Sequence, residues 1–240
     1  MKILFMSDFH IGSPLFKYKN LMEILTSDEF NEVYLLGDIF DIWHKRFNSI
    51  VENNLEFIGT VNKLSLKKNV YFVKGNHDPS IEELRLVFPN VKFADSIEVN
   101  KRKFYGMEFK DGFIIHGEIF DSLATKYSLV AKFLYYFQIA FEHIGINLQQ
   151  FFRESFFSIS DKSDKEYFLD LIGDIEDSTI NLYENKYSYL VMGHTHTPKH
   201  ITVTTSYLNT NFQYINCGDW ISNHSYVVYD NGVFNLYKGE

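Results

Sequence analysis

A chain of 240 residues has room for one sizeable domain carrying an insertion. Its formal charge of −8 and pI near 5.6 exclude the basic face on which non-specific nucleic-acid binding depends, so no nucleic-acid partner is expected. The lone Cys217 excludes an internal disulfide and a cysteine-rich zinc site and fits a reducing, cytoplasmic compartment, while 24 Phe and 16 Tyr demand an apolar pocket or surface somewhere.

The first apolar run, residues 3–6, is too short for a signal peptide and reads as a strand that ends at Asp8-Phe9-His10. Leu21, Ile24 and Leu25 then share one helical face, and residues 33–36 form a second strand before Gly37-Asp38-Ile39-Phe40-Asp41. Ile58, Val61 and Leu64 mark another helix, and residues 70–73 a third strand before Gly75-Asn76-His77-Asp78. Ser80 and Glu83 have the spacing of a capping box ahead of Leu84 and Val87. Residues 113–115 lead to His116, and residues 189–192 lead to Gly193-His194-Thr195-His196.

Between these last two runs, at about 119–184, lies an aromatic-rich tract with helical patterning that includes Tyr127, Phe133, Tyr136, Phe141, Phe152 and Phe157; it reads as an insertion over the site. Its most apolar part, residues 129–141, is interrupted by Lys132 and Gln138 and falls short of the roughly 18 apolar residues of a membrane span. The tail returns to strands at 213–216, 226–229 and 233–237, with Asp230-Asn231-Gly232 as a hairpin turn. Continuous rather than alternating apolar runs imply strands buried on both faces, and a βαβαβ order implies a layered α/β core whose ligands gather at strand carboxyl ends.

Each polar cluster has an ordinary reading when taken singly. Asp38 has the look of a helix N-cap, Asn76 and Asp78 suit an Asx turn, and His116 suits a satisfied core histidine. Jointly they are harder to explain that way. Asp8, His10, Asp38, Asn76, His116, His194 and His196 all sit at strand ends, offer oxygen or imidazole donors, and include no sulfur. That set fits two adjacent divalent cations, Mn first with Fe, Mg or Zn as further candidates, better than a structural zinc. Asp8 with His10, and His194 with His196, are expected to share a face of extended backbone.

With these motifs in their order, the chain resembles the calcineurin-like metallophosphoesterase family. The resemblance implies a β-sheet sandwich flanked by helices, a helical cap and a metal-dependent hydrolase. It implies one cation held by Asp8, His10, Asp38 and His196, and a second by Asp38, Asn76, His116 and His194. It further implies catalytic roles for Asp38, Asn76 and His77, with His77 protonating the leaving oxygen or stabilising the transition state while a metal-bridging hydroxide attacks phosphorus. Asp41 and Asp78 would orient imidazoles or close the turn.

Within that family, Gly37-Asp38-Ile39-Phe40-Asp41-Ile42-Trp43, His116-Gly117-Glu118 and Asn216-Cys217-Gly218-Asp219-Trp220 resemble segments of the UDP-2,3-diacylglucosamine diphosphatase branch. His77 stands where that branch commonly has Arg, and Glu118 where it has Asp. The resemblance implies cleavage of a nucleotide-linked diacylated sugar to UMP and the lipid phosphate, with peripheral contact at the inner membrane. Arg153, Lys162 and Lys165 are candidate substrate contacts. The alternatives are a phosphodiesterase or phosphomonoesterase acting on a soluble nucleotide, and a non-catalytic protein-docking module.

Overall fold

A computed structural model describes residues 1–16, 18, 20–99, 103–104, 107–108, 112–120, 173, 175–205 and 211–238. The chain divides into two compact units, one of Met1–Gly117 with Tyr183–Glu240 and one of Glu118–Leu182. In the second unit the described residues comprise a 3-10 turn at Glu118–Phe120 and helical residues 173 and 175–182, where Thr179 Oγ1 donates to the Ile175 carbonyl at 2.6 Å. Most of the aromatic tract expected at about 119–184, with Arg153, Lys162 and Lys165, lies outside the described residues.

The first unit begins with β1 (Lys2–Met6), α1 (Leu21–Thr26), β2 (Glu32–Leu36), α2 (Phe47–Asn53), α3 (Leu55–Ser65), β3 (Asn69–Val73), α4 (Ile81–Val87) and β4 (Lys92–Ala94). It continues with β5 (Ser96–Val99), the short pair β6 (Lys103–Phe104) and β7 (Met107–Glu108), and β8 (Gly112–Ile115). After the second unit come β9 (Tyr189–Met192), β10 (Lys199–Thr204), β11 (Asn211–Asn216), β12 (Ser225–Asp230) and β13 (Val233–Lys238). One sheet has six strands in the order β13-β12-β1-β2-β3-β4, and the other five in the order β10-β11-β9-β8-β5. The chain passes from the first sheet to the second at Asp95, between β4 and β5.

Strand periodicity explains why the runs are apolar throughout. On β1 and β2, Leu4, Met6, Val33 and Leu35 join a core with Leu21 and Leu25 of α1, Phe57, Val61 and Leu64 of α3, and Leu84 of α4. Their sequence neighbours Ile3, Phe5, Tyr34 and Leu36 join a separate core with Ile114 of β8, Val191 of β9, Ile215 of β11 and Val227 of β12. Successive residues thus serve the helical layer and the facing sheet in turn. A two-sheet sandwich with helices on one side needs this pattern.

Local signals hold where they were strongest. Ser80 and Glu83 form a full capping box at α4: Ser80 Oγ accepts from the Glu83 N–H at 3.3 Å and Glu83 Oε2 accepts from the Ser80 N–H at 3.1 Å. The β12–β13 hairpin turns through Asn231 and Gly232 at φ 49° and 94°, positive at both central positions as a primed turn requires. The strands β4, β5 and β10 and the helix α2 went unread, being short or carrying mixed polar faces.

Candidate metal centre

Parallel pairing puts the carboxyl ends of β1, β2 and β3 side by side in one sheet, and those of β8 and β9 in the other. The loops that follow are knit to each other by their backbones. Asp8 N–H donates to the Gly37 carbonyl at 3.0 Å, His10 N–H to the Asp38 carbonyl at 2.8 Å, and Gly193 N–H to the His116 carbonyl at 3.0 Å. Asp8, His10, Asp38 and His116 are thereby gathered with His194 and His196 at one end of the sandwich, and Asn76 and His77 reach the same place from β3.

The expectation of extended backbone at the paired ligand residues is corrected here. Asp8, His10, Asp38, His194 and His196 all have positive φ, between 51° and 66°. Side chains other than Gly, Asn and Asp reach that region at a cost of order 1 kcal/mol each, so the surrounding bonds must impose it. Neighbouring glycines make the room. A Cβ on Gly75 would sit 2.3 Å from Asp38 Oδ1, and one on Gly193 would sit 2.4 Å from Asp8 Oδ2.

Asp38 stands between two groups of imidazoles. Its Oδ2 is 3.3 Å from His116 Nε2 and 3.8 Å from His10 Nε2, while its Oδ1 accepts the His77 backbone N–H at 2.8 Å. On one side, Asp8 Oδ1 is 3.2 Å from His196 Nε2, which is 3.3 Å from His10 Nε2. On the other, His116 and His194 meet edge to face with ring centroids 5.2 Å apart. Asp8, His10 and His196 form one cluster able to hold an ion, Asp38, His116 and His194 a second, and His10, Asp41 and His77 a third.

The donor chemistry fits cations. His116 Nδ1 donates to the Leu36 carbonyl at 2.8 Å, so in the neutral ring Nε2 is the lone-pair atom, and it faces a carboxylate oxygen. Two acceptors so placed call for a positive charge between them. Asn76 Oδ1 is also buried, with no hydrogen-bond donor among the described residues.

Burial and charge act in opposite directions through the cluster. Burial opposes ionisation of Asp38, yet His116 and His77 outweigh it and hold the carboxyl well below its usual range. Asp8 is likewise raised by burial but lowered further by His196 and His116. Burial drops His10 to about 4 and keeps that ring neutral. For His196, burial also favours the neutral ring, but Asp8 prevails and lifts it to about 9.

The surrounding carboxylates divide the supporting work. Asp41 Oδ1 lies 3.1 Å from His77 Nδ1, and its Oδ2 is 3.9 Å from His10 Nδ1, so one carboxylate faces two rings. Trp43 stacks on His77 with centroids 3.9 Å apart. Asp219, noted in the sequence only as part of a run, takes the N–H groups of Ile221 and Asn223 at 2.7 and 3.1 Å, and its Oδ2 is 3.8 Å from His196 Nδ1. Its place at the end of β11, as the other site residues follow their own strands, was the signal for it.

Asp78 closes the turn. It accepts the backbone N–H groups of Asp38, Phe40 and Gly75 at 2.8, 2.9 and 2.9 Å, while burial pushes its carboxyl up to about 7. Asp78→Ala strands three buried donors at once, and we expect it to cost about 3 kcal/mol or more in a urea titration of the protein. A loss below about 1 kcal/mol would show that water replaces the carboxylate freely.

A layered α/β sandwich whose strand ends bring carboxylates and imidazoles together is the frame of a metal-dependent hydrolase. The calcineurin-like phosphoesterase model matches residues 1–198, and the chain belongs to that family. It is 27% identical over 259 residues to a UDP-2,3-diacylglucosamine hydrolase of Aliivibrio fischeri, covering 100% of this chain and 99% of that protein. A Shewanella protein with the same description is 24% identical, with 92% of this chain and 89% of the relative covered. The solved structure of Yfce, a phosphoesterase from E. coli, aligns over 98% of this chain and 91% of its own at 19% identity, with a TM-score of 0.49. The chain is a metal-dependent phosphoesterase, and no helix among the described residues is long and apolar enough to cross a membrane.

Proposed function

We propose that this phosphoesterase uses two cations and cleaves the diphosphate of UDP-2,3-diacylglucosamine, giving UMP and 2,3-diacylglucosamine 1-phosphate. The observation that carries the paired site is the position of Asp38 Oδ2 between His10 and His116. Asp8, His10, Asp38 and His196 would hold one ion, and Asp38, Asn76, His116 and His194 the other. Two divalent cations there, Mn by preference and Fe, Mg or Zn by the same donor set, supply Lewis acidity to phosphoryl oxygens and make water acidic enough to attack near neutral pH.

The chain's own residues do the rest. Asp38 and Asn76 fix the site around the phosphoryl group, Asn76 through a buried amide oxygen. The His77 ring is held by Asp41 at Nδ1 and against the face of Trp43, and its Nε2 would give a proton to the leaving oxygen as the phosphorus–oxygen bond breaks. Burial lowers the proton affinity of His77, but Asp38 and Asp41 more than offset this and raise it above that of an ordinary imidazole. A general acid needs that bias.

Support for the lipid substrate comes from relatives of that description that match nearly the whole chain, and from its many aromatic residues. Such a substrate puts the enzyme at the cytoplasmic face of the inner membrane as a peripheral protein, with Arg153, Lys162 and Lys165 as candidate contacts to it. Incubation with Mn²⁺ and UDP-2,3-diacylglucosamine should release UMP. Turnover of bis-p-nitrophenyl phosphate and soluble nucleotides, with none of the lipid, would favour a soluble-nucleotide phosphodiesterase instead.

A further inference from the structure

We propose that a groove beside the His77 turn is a subsite for the nucleoside end of the substrate, with Arg46 as its specificity-determining residue. The inference rests on reading the substrate as a nucleotide-linked diphosphate. The groove has a volume of about 270 Å³ and is lined by Ile42, Arg46, Phe47, Asn48, Pro79 and Glu83. Two of its lining residues are tied to the loops of the metal centre. Ile42 follows Asp41 and donates its N–H to the His77 carbonyl at 3.0 Å, and Pro79 follows Asp78.

The lining matches a ring with polar edges. Ile42, Phe47 and Pro79 provide an apolar surface, while Arg46 offers donors, Asn48 both a donor and an acceptor, and Glu83 an acceptor. Glu83 is held in place because its Oε2 is bound by Ser80 N–H and Oγ at 3.1 and 2.9 Å. No acidic side chain pairs with Arg46 among the described residues, and the side chain is exposed at the start of α2. In a chain of net charge −8, Lys45 and Arg46 place cations next to a phosphoester site, where an anionic substrate must pass. The volume lies just below the range of about 300–1,000 Å³ typical for drug-sized ligands, which suits one nucleoside and not a pair of acyl chains.

The test is calorimetric titration of UMP and of inorganic phosphate into the Mn²⁺-loaded full chain, for the wild type, Arg46→Ala and Asn48→Ala. Arg46→Ala is expected to weaken UMP by about tenfold and phosphate by less than about twofold, with a rise in KM larger than the fall in kcat on the nucleotide-linked substrate. Asn48→Ala should weaken UMP by a smaller factor in the same sense. UMP affinity unchanged in both variants overturns the subsite, as does a wild type that binds phosphate but not UMP; if that wild type still cleaves the lipid-linked diphosphate, the functional reading stands without the groove. UMP binding that depends on Arg46, in an enzyme inert toward the lipid-linked diphosphate, keeps the groove and overturns the functional reading.

Discussion

Asp38→Ala is expected to lower kcat by roughly a thousandfold or more and to remove both cations together, so that elemental analysis of the purified variant falls from two ions per chain toward none. The reason is geometric. One oxygen of this carboxylate faces His10 at 3.8 Å and His116 at 3.3 Å, one imidazole from each proposed ligand set. In the proposed two-cation site, losing a peripheral ligand would weaken one ion, whereas losing Asp38 would leave two positive charges facing each other with no anion between.

Asp38 also has a structural duty that the experiment must separate. Its Oδ1 accepts the His77 N–H at 2.8 Å, against a backbone held close by Gly75. Asp38→Asn keeps an acceptor of the same shape for that bond and removes the charge. It should therefore melt close to the wild type in metal-free buffer yet still fail to retain two ions. An Asn variant that purifies with both ions and full activity would refute the bridging role and, with it, the proposed pairing of ligands.

The frame of this site was legible in the sequence because its chemistry and its fold share one rule. Parallel strands buried on both faces read as unbroken apolar runs, and the residues just past their carboxyl ends are the ones that meet. Residues 3–6, 33–36 and 70–73 of the first sheet, and 113–115 and 189–192 of the second, all fall within observed strands. Which runs belong to which sheet could not be read. β8 and β9 pair with each other and not with β3, and that choice depends on contacts between segments some 75 residues apart.

The backbone at the ligands was the other blind spot. Alternating residues such as Asp8 and His10 share a face in extended chain, yet both adopt positive φ because their N–H groups are drawn to the Gly37 and Asp38 carbonyls of the next strand's loop. A tertiary bond overrides a local preference there. Trp43 was read as part of a family segment, but its stacking on His77 depends on the turn that Asp78 closes. No sequence spacing encodes that.

His77→Asn should separate proton donation from cation binding. The variant is expected to keep two ions per chain, because His77 Nδ1 faces Asp41 at 3.1 Å and the ring is not needed in either ligand set. Its kcat should depend on the leaving group in a way the wild type's does not. For phosphodiesters with poorly acidic alcohol leaving groups the loss should approach or exceed a hundredfold, within the range of about 10²–10⁴ that a positioned acid contributes. For p-nitrophenyl esters, whose leaving oxygen departs without a proton, the loss should be slight. Asp41→Asn should follow the same pattern in milder form, since it leaves the ring in place under Trp43 but removes one of the two charges, Asp38 and Asp41, that raise its proton affinity. Equal losses for good and poor leaving groups would show that His77 acts on the charge of the phosphoryl group, and loss of an ion would make it a ligand.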